Sequence, residues 1–586
     1  MNKEHQLVVD TEGFKLDGRP FRIIAGAIHY FRVPRAYWRD RLLKLKACGF
    51  NTVETYMAWN AHQPQPDVFD ESDMLDFVSF LQLAQSLGLW AIVRPGPYIC
   101  SEWDMGGLPW WLLRDDDIQL RCMNESYLKA VDRWFDWVVV RLAPLQSNRG
   151  GPLLMIQVEN EYGSYGDDQV YLHYLADGLL RRGIEVPLFT SDGATDFMLT
   201  GGTLTGILKT ANFGSKATEQ FAKLREHQPE GPLMCTEFWN GWFDHWGEKH
   251  HTRDPQDAAQ TLEDILAAGG SLSAYMFHGG SNFGFMNGAN FTDTYQPTVN
   301  SYDDDAPLDE RGDLTPKYHL FRSVIARHAP VPDVDLPPAI PPASYGELVF
   351  CESADLLDNL DALTRPIEMT VPLPMEKLGQ GHGFILYRTS VRGPREKLPL
   401  RFSQLCDRAH IYANGELLGI QYRNDAADAV ELAIPAEGLQ LDILVENMGH
   451  INYGPRLAER KGAVGGICLG QTFVYHWQAC PLPLSDLSAV QFQDGIQPFT
   501  GRPQFLRTYL EIAGNPADTF IKLPDFCKGV IFVNGRVLSR YWSIGPQRSV
   551  WLPAPFLQNG KNEIIVLELD GRESHTILLD DQMAIG

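Results

Sequence analysis

The chain has 586 residues, of which 44% are hydrophobic, and a formal net charge of −24. This length exceeds one compact domain, and the apolar content is sufficient for several cores. The strongly acidic balance makes nucleic acids and anionic membrane surfaces poor partners, and it gives no electrostatic attraction to an anionic substrate. A neutral substrate is therefore indicated.

The cysteines and the N-terminus indicate where the protein resides. Nine cysteines, an odd number without a CxxC pair, predict reduced thiols and not a disulfide framework or a zinc site. The first ten residues, MNKEHQLVVD, lack the apolar core of a signal peptide, and no stretch approaches a membrane-spanning length. We therefore expect a cytoplasmic protein.

Short apolar runs alternate with amphipathic segments from about residue 20 to residue 328. FRIIAGAIHY predicts a strand and AYWRDRLLKLKACG a helix. Continuing along the chain, eight predicted strands begin near residues 22, 52, 90, 153, 187, 205, 232 and 273. Eight strands separated by helices predict an α/β fold, a (β/α)8 TIM barrel over residues 1–328. A doubly wound open sheet is the alternative, although no glycine-rich phosphate loop follows a predicted strand.

The remainder of the chain has an all-β pattern. Residues 329–345 form a proline-rich linker, and short alternating runs with turn signals follow it. They predict two jelly-roll domains, at 346–484 and 485–586. A weak internal repeat supports two related domains, because AHIYANGELLG and VIFVNGRVLSRYW each read as a strand, an Asn-Gly turn and a second strand.

Carboxylates cluster at the predicted carboxyl ends of the barrel strands, where barrel enzymes place their active sites. The strand-end residues are Glu54, Tyr56, Arg94, Tyr98, Glu102, Glu159, Asn160, Glu161, Glu237 and His278. Carboxylates with aromatic neighbours and no matching basic cluster suit carbohydrate hydrolysis. One carboxylic acid protonates the leaving oxygen, and another attacks or stabilises the anomeric centre. The histidines His245, His250 and His251 lie in a charged loop, and we predict neither a metal nor a cofactor.

The segment IQVENEYGSYG, at the end of the fourth predicted strand, contains two glutamates that strand parity makes unequal. Alternation places Glu159 and Glu161 on the face that points into the barrel, with Glu159 deeper. A deep carboxylate must be paired, and Arg94 is a candidate partner. Glu161 lies nearer the mouth. Regular strand alternation directs the Asn160 side chain away from the barrel interior. If Asn160 has a function in the site, this alternation must fail between residues 159 and 161.

Six long motifs carry a family resemblance. They are AGAIHYFRVP, GFNTVETYMAWNAHQP, RPGPYICSEWDMGGLPWWL, QVENEYGSYG, EFWNGWFDHWG and MFHGGSNFGFMNGANF. Spread over nearly all of the first 310 residues, they resemble the family 35 glycoside hydrolases, the β-galactosidases. The two trailing β-domains resemble the galactose-binding-like domains of bacterial members. The resemblance implies a retaining exo-β-galactosidase that acts on β-galactoside oligosaccharides without a cofactor, and it is compatible with a homodimer.

The resemblance also implies roles for individual residues. Glu161 matches the acid/base and Glu237 the nucleophile of the family, while Asn160 matches the residue that binds the sugar 2-hydroxyl. The implied substrate-binding residues are Tyr56, Ser101, Glu102, Asn160, Trp239, Trp242, Tyr302 and Tyr453. Trp239, Trp242 and Tyr453 suggest a small pocket that prefers β-1,3 linkages.

The sequence departs from the family at one position. Members commonly contain SYDYDAP, whereas residues 301–307 are SYDDDAP. Asp304 thus replaces a tyrosine that often contacts galactose. Either Tyr302 or Tyr295 takes over this contact, or the sugar subsite is altered.

A retaining mechanism requires the Glu161 and Glu237 carboxyl groups about 5–5.5 Å apart. It also requires a raised pKa of Glu161, for which partial burial and the charge of Glu237 are the expected causes. Two alternatives remain open. One is a retaining glycosidase of the same clan that acts on β-glucosaminides or arabinosides. The other is a non-catalytic carbohydrate-binding protein, which the presence of both carboxylates disfavours.

Overall fold

The computed structural model describes residues 3–423 and 429–586. Eight parallel strands close into a barrel in which each strand pairs with the next and the last pairs with the first. They are Ile24–Ile28 (β1), Thr52–Tyr56 (β2), Trp90–Arg94 (β3), Leu153–Gln157 (β4), Leu188–Gly193 (β5), Leu208–Phe213 (β6), Met234–Trp239 (β7) and Ser271–His278 (β8). The predicted TIM barrel is confirmed, and the open doubly wound sheet is excluded.

Helices surround the barrel. They are Trp38–Cys48 (α1), Phe77–Ser86 (α2), Glu125–Leu142 (α3), Gln169–Arg181 (α4), Asp196–Gly202 (α5), Ala217–His227 (α6), Pro255–Ala267 (α7) and Pro316–His328 (α8). Helix α3 begins after Asn124, whose side chain accepts a hydrogen bond from the Tyr127 backbone, and α7 begins with Pro255 after the cap Asp254. Among the described residues, no helix is long and apolar enough to span a membrane.

Two β-sandwiches follow the barrel, which confirms the predicted all-β part of the chain. Within the described residues, the first sandwich has a six-stranded sheet of Ile367–Met369, Trp477–Leu482, Phe384–Val391, Leu439–Glu446, Arg408–Ala413 and Glu416–Tyr422. Its second sheet contains Glu431–Ile434, Arg395–Cys406, Gly462–Leu469 and Thr472–Phe473.

The second sandwich has the same two-layer design. Its six-stranded sheet contains Gln493–Asp494, Glu352–Asp355, Gln504–Ile512, Gly560–Glu568, Lys528–Val533 and Arg536–Trp542. Its four-stranded sheet contains Gly346–Val349, Thr576–Asp580, Thr519–Lys522 and Ser549–Leu552. The internal repeat corresponds to one hairpin in each sandwich, 408–422 and 528–542, both turning at an Asn-Gly pair.

The first sandwich is inserted into the second. Gly346–Val349 pairs with Thr576–Asp580, and Glu352–Asp355 pairs with Gln504–Ile512. The sequence-based boundary at residue 346 assigns both short strands to the first sandwich, whereas their hydrogen bonds are made to the second. Strand pairing over this range joins segments far apart in the chain, and local sequence patterns do not report it.

The barrel and the first sandwich share a small sheet. A hairpin in the loop after β8, Ala289–Phe291 and Tyr295–Pro297, pairs in parallel with Ile451–Tyr453 of the sandwich. The sandwich segment at residues 447–453 therefore lies against the carboxyl end of the barrel.

A buried ion-pair cluster joins the same two domains. His450 of the first sandwich contacts the Asp104 carboxylate of the barrel through Nδ1 (2.9 Å) and the Glu376 carboxylate through Nε2 (2.9 Å). Burial alone would lower the pKa of His450, but the two carboxylates outweigh it and raise the pKa to about 9. His450 is therefore a cation at neutral pH, and two buried carboxylates at the domain interface share it.

We predict that His450→Gln lowers the free energy of unfolding by about 3–5 kcal/mol at pH 7, because it leaves two buried carboxylates without a cation. The native pKa lies above the usual value of about 6.5. The ion pair therefore contributes fully below about pH 6.5 and is lost as the pH rises through about 9. Denaturant unfolding at pH 7 and pH 9.5 measures the difference in free energy of unfolding between the variant and the wild type. This difference should be smaller at pH 9.5.

His382→Gln is the matched control, since His382 lies 3.7 Å from Asp104 and burial lowers its pKa to about 4. Replacing this neutral imidazole should lower the free energy of unfolding much less than His450→Gln does. Equal losses for the two variants would contradict a cationic His450.

Candidate active site

A cavity of about 210 Å³ opens at the carboxyl end of the barrel. The residues of the sequence-based site that line it are Tyr56, Ser101, Glu102, Asn160, Glu161, Glu237, Trp239, Trp242 and Tyr453. Tyr302 is not among the lining residues, and its hydroxyl group bonds to the Glu102 carboxylate and to the Tyr275 hydroxyl (2.9 Å). The fold thus gathers residues from β2, β7, the loops after β3, β4 and β7, and the first sandwich around one small space.

Glu237, at the end of β7, has a rigidly held carboxyl group. Its Oε1 accepts hydrogen bonds from Arg94 (2.8 Å) and from the Tyr56 hydroxyl (2.9 Å), and its Oε2 accepts one from Trp239 Nε1 (3.2 Å). Three donors, one of them cationic, fix its orientation. The carboxyl group is thereby aimed into the cavity and is available as a nucleophile.

Glu161 lies in a different environment. Its side chain borders the cavity, and its Oε1 accepts a hydrogen bond from the neutral amide of Asn212 (3.1 Å). Enclosure by protein atoms and the negative charge of Glu237 raise the pKa of Glu161 well above its usual range, as the sequence predicts. A protonated carboxyl group beside a fixed carboxylate is the arrangement in which one acid donates a proton and the other attacks.

The expected break in strand four is confirmed. Strand β4 ends at Gln157, and Glu159 (φ 59°) and Glu161 (φ 47°) adopt the left-handed backbone region, which non-glycine residues rarely occupy. Regular alternation therefore fails between them. Asn160 consequently lines the cavity, where its Oδ1 accepts a hydrogen bond from Arg94 (3.1 Å).

The predicted pairing of Glu159 with Arg94 is wrong. Glu159 forms a two-point salt bridge with Arg121 (2.8 Å to each carboxylate oxygen) and accepts a hydrogen bond from Tyr171 of α4 (3.2 Å). The left-handed turn carries its side chain out of the barrel interior, toward the loop that contains Arg121. Arg94 instead bonds to Glu54 and Glu237. Glu159 is nevertheless paired and buried, as expected for a structural residue.

Glu102 lies in a strained loop that both domains hold. Cys100, Ser101 and Glu102 have φ between 50° and 59°. One carboxylate oxygen of Glu102 accepts from the Tyr302 hydroxyl, and the other faces the Asn452 amide of the first sandwich (3.4 Å). Burial raises the pKa of Glu102. The β-domain thus positions a carboxyl group of the barrel cavity.

Asp304 adds a fourth carboxyl group to the cavity. Its Oδ2 accepts a hydrogen bond from the Met276 backbone (3.0 Å), while burial raises its pKa well above the usual range and the charge of Glu102 adds to the shift. Tyr295 does not replace the missing tyrosine, because its hydroxyl bonds to Asp407 (3.0 Å) and to the Gly449 carbonyl (2.6 Å). Tyr302 is engaged with Glu102. Of the alternatives raised by the sequence, the structure favours an altered subsite.

Among the described residues, two clusters have a composition that could bind a metal ion: Asp104 with His382 and His450, and Cys406 with Asp407 and Glu459. In the first, His450 already forms salt bridges with Asp104 and Glu376. In the second, Asp407 pairs with Lys461 (2.8 Å) and with Arg423 (2.8 Å). Asp104 of the first cluster and Asp407 of the second are thus already paired with cations of the chain, and neither cluster lies in the cavity.

Sequence reasoning missed several residues of this region. Asn212 is the last residue but one of β6, in the run LKTANF, and it would have been found had the strand-end argument been applied to that strand. Arg121 lies in a loop before α3, and Asn452 lies in another domain. Neither carries a local signal, because their roles depend on contacts with residues distant in the chain.

We predict that Glu237→Gln lowers the pKa of Glu161, since it removes the nearby negative charge that helps to raise it. Titration of the ¹³C-labelled carboxyl groups by NMR measures the shift. Asp304→Asn is the control, because Asp304 lines the same cavity and is not among the main causes of the Glu161 shift. An unchanged Glu161 pKa in Glu237→Gln, or the same fall in both variants, would contradict this electrostatic coupling.

Three sequence families match successive parts of the chain. The model for glycosyl hydrolases family 35 matches residues 13–328. The models for the β-galactosidase first all-beta domain and the β-galactosidase galactose-binding domain match residues 372–483 and 503–562. The first two matches correspond to the barrel and the first sandwich, and the third covers part of the second sandwich.

Curated relatives match nearly the whole chain. A β-galactosidase of Xanthomonas manihotis is 43% identical over 555 residues, which cover 92% of this chain and 91% of the relative. A β-galactosidase of Bos taurus is 42% identical over 589 residues, covering 95% and 89%. The β-galactosidase-1-like protein 3 of Mus musculus is 41% identical over 569 residues, covering 95% and 86%.

Proposed function

The chain belongs to glycosyl hydrolase family 35, and on that premise we propose that it is a retaining exo-β-galactosidase. It removes terminal, non-reducing β-D-galactose from oligosaccharides. The observation that carries this proposal is the pair of carboxyl groups of Glu161 and Glu237 in one cavity. Glu237 is bonded to a cation, whereas Glu161 is bonded to a neutral amide. Relatives named β-galactosidases support the choice of sugar.

The proposed reaction has two steps. Glu237 attacks the anomeric carbon while Glu161 donates its proton to the leaving oxygen, which releases the aglycone and forms a galactosyl-enzyme. Glu161 then removes a proton from water, and the water oxygen displaces Glu237 to release β-galactose. The bonds from Arg94 and Tyr56 hold Glu237 in line, and the raised pKa of Glu161 keeps the proton available near neutral pH.

The same cavity supports the assignment of the sugar-binding residues. Asn160 reads the 2-hydroxyl group, an interaction that strengthens in the transition state. Tyr56 and Glu102 bind further hydroxyl groups, while Trp239, Trp242 and Tyr453 form walls. A cavity of about 210 Å³ is smaller than the roughly 300–1,000 Å³ pockets of drug-sized ligands, which favours one terminal sugar and hence exo action.

The location and assembly of the protein are also proposals. The nine cysteines are free in the structure, which supports a reducing compartment such as the cytoplasm. A homodimer is proposed from the resemblance to bacterial members of the family, and sedimentation analysis tests it.

One observation favours a second candidate function. Asp304 places a carboxyl group where the family commonly has a tyrosine, and a carboxyl group can accept a hydrogen bond from an amino substituent. This feature suits a β-glucosaminide as well as a galactoside. The Trp239–Trp242 pair and Tyr453 support the preference for β-1,3-linked galactosides, since together they line one small cavity.

We predict that Glu237→Gln reduces turnover of nitrophenyl β-galactoside by about 10⁴-fold or more, because it removes the nucleophile, and that it still binds galactose. With the wild type, NMR should detect β-galactose as the first product. Glu226→Gln, at an exposed residue of α6, is the control and should retain full activity. Retained activity of Glu237→Gln, or α-galactose as the first product, would refute the retaining assignment.

A substrate panel tests the choice of sugar and linkage. Among nitrophenyl β-glycosides we expect the galactoside to have the highest kcat/KM, above the glucosaminide and the arabinoside. Among galactosyl disaccharides we expect the β-1,3 linkage to exceed β-1,4 and β-1,6. Faster hydrolysis of the glucosaminide would establish the second candidate, and no turnover of any galactoside would reject the proposed function.

A further inference from the structure

A second cavity, of about 610 Å³, adjoins the catalytic cavity at the same end of the barrel. The two cavities share the lining residues Gly193, Met198, Trp239, Gly241 and Trp242. The loops after β5, β6 and β7 form its walls together with the start of α6. Because the cavities have a common wall and open at the same face, a ligand that extends from the first can enter the second.

The second cavity lies on the side of Glu161. Asn212 lines it and also donates the hydrogen bond to Glu161 Oε1 (3.1 Å). In a glycosidase the acid stands beside the oxygen that links the terminal sugar to the leaving group. The leaving group therefore extends from the Glu161 side of the catalytic cavity, which is the side where the second cavity opens.

The polar groups of the second cavity suit an uncharged ligand. The side chains of Ser215 and Gln220 line it and make no hydrogen bond to any other described residue. The charged lining residues Arg253 and Asp257 pair with each other (2.7 Å), and Arg253 also donates to the Trp239 carbonyl (2.8 Å). A hydroxyl and an amide are thus free for a ligand, while the charges are already neutralised.

The second cavity also has an aromatic surface, formed by Trp239 and Trp242. The side chain of Trp242 is 41% exposed, and Trp239 stands edge-on to it with ring centroids 5.7 Å apart. An exposed indole beside free neutral hydrogen-bonding groups matches the alternating apolar and hydroxylated surface of a sugar ring.

We propose that the second cavity binds the second sugar unit of the leaving group, so that the preferred substrates are neutral galactose-terminated oligosaccharides of three or more sugars. This inference rests on the proposed function, since the direction of the leaving group follows from Glu161 acting as the acid. Trp239 and Trp242, in the wall that the two cavities share, pack against the first unit of the leaving group, while Gln220 and Ser215 bind the hydroxyl groups of the second unit.

Chain-length preference tests the inference. For the wild type, kcat/KM should be about tenfold higher for a neutral trisaccharide with a terminal β-1,3-galactose than for the disaccharide with the same linkage. In Gln220→Ala and Ser215→Ala, the ratio of kcat/KM for the trisaccharide to that for nitrophenyl β-galactoside should fall about threefold to tenfold, because each loses a neutral hydrogen bond. Gln260→Ala, at an exposed glutamine of α7, is the matched control and should leave the ratio unchanged.

A binding measurement separates this inference from the proposed function. Calorimetry with the Glu237→Gln enzyme should show tighter binding of the trisaccharide than of the disaccharide, and Gln220→Ala on that background should remove the difference. Equal affinities for the two sugars, or an unchanged ratio in both variants, would overturn the second-cavity site even if galactosides are hydrolysed. Absence of turnover with a retained affinity difference would reject the activity and keep the site.

Discussion

The buried guanidinium group of Arg94 is the interaction on which the active site depends. From the end of β3 it bonds to Glu54 of β2, Asn160 after β4, Ser191 of β5 (3.3 Å), and Glu237 and the Thr236 carbonyl (2.6 Å) of β7. A fully buried charge is costly unless its partners satisfy it, and removing one partner of such a pair is strongly destabilising. The folded barrel therefore fixes these strand ends relative to one another.

This single cation also makes the two central carboxyl groups unequal. Glu237 bonds directly to Arg94, whereas Glu161 meets the neutral amide of Asn212. The negative charge of Glu237 then acts on Glu161 and raises the pKa of its carboxyl group. The proposed division between a nucleophile and a proton donor thus rests on the position of one arginine at the centre of the barrel.

The sequence predicted the elements that have a local signal. It did not predict contacts between residues that are far apart in the chain. The eight barrel strands are marked by apolar runs, and parity with the family motif predicted the irregular backbone between Glu159 and Glu161. Strand parity could not show that the left-handed turn directs the Glu159 side chain toward Arg121. A residue with a positive φ leaves no mark in the alternation of apolar and polar residues. The Asn452 contact to Glu102, between domains, likewise has no signal in either segment.

The insertion of one sandwich into the other affects the order in which the protein can be built. During synthesis, Gly346–Val349 and Glu352–Asp355 leave the ribosome long before the strands that pair with them. Glu352–Asp355 is an open strand edge until Gln504–Ile512 is made, and Gly346–Val349 remains one until the last strand, Thr576–Asp580. The barrel and the inserted sandwich already have their own partners by then. A chain that ends before Thr576–Asp580 therefore retains Glu161 and Glu237, but it exposes Gly346–Val349 as an unpaired strand edge that favours aggregation.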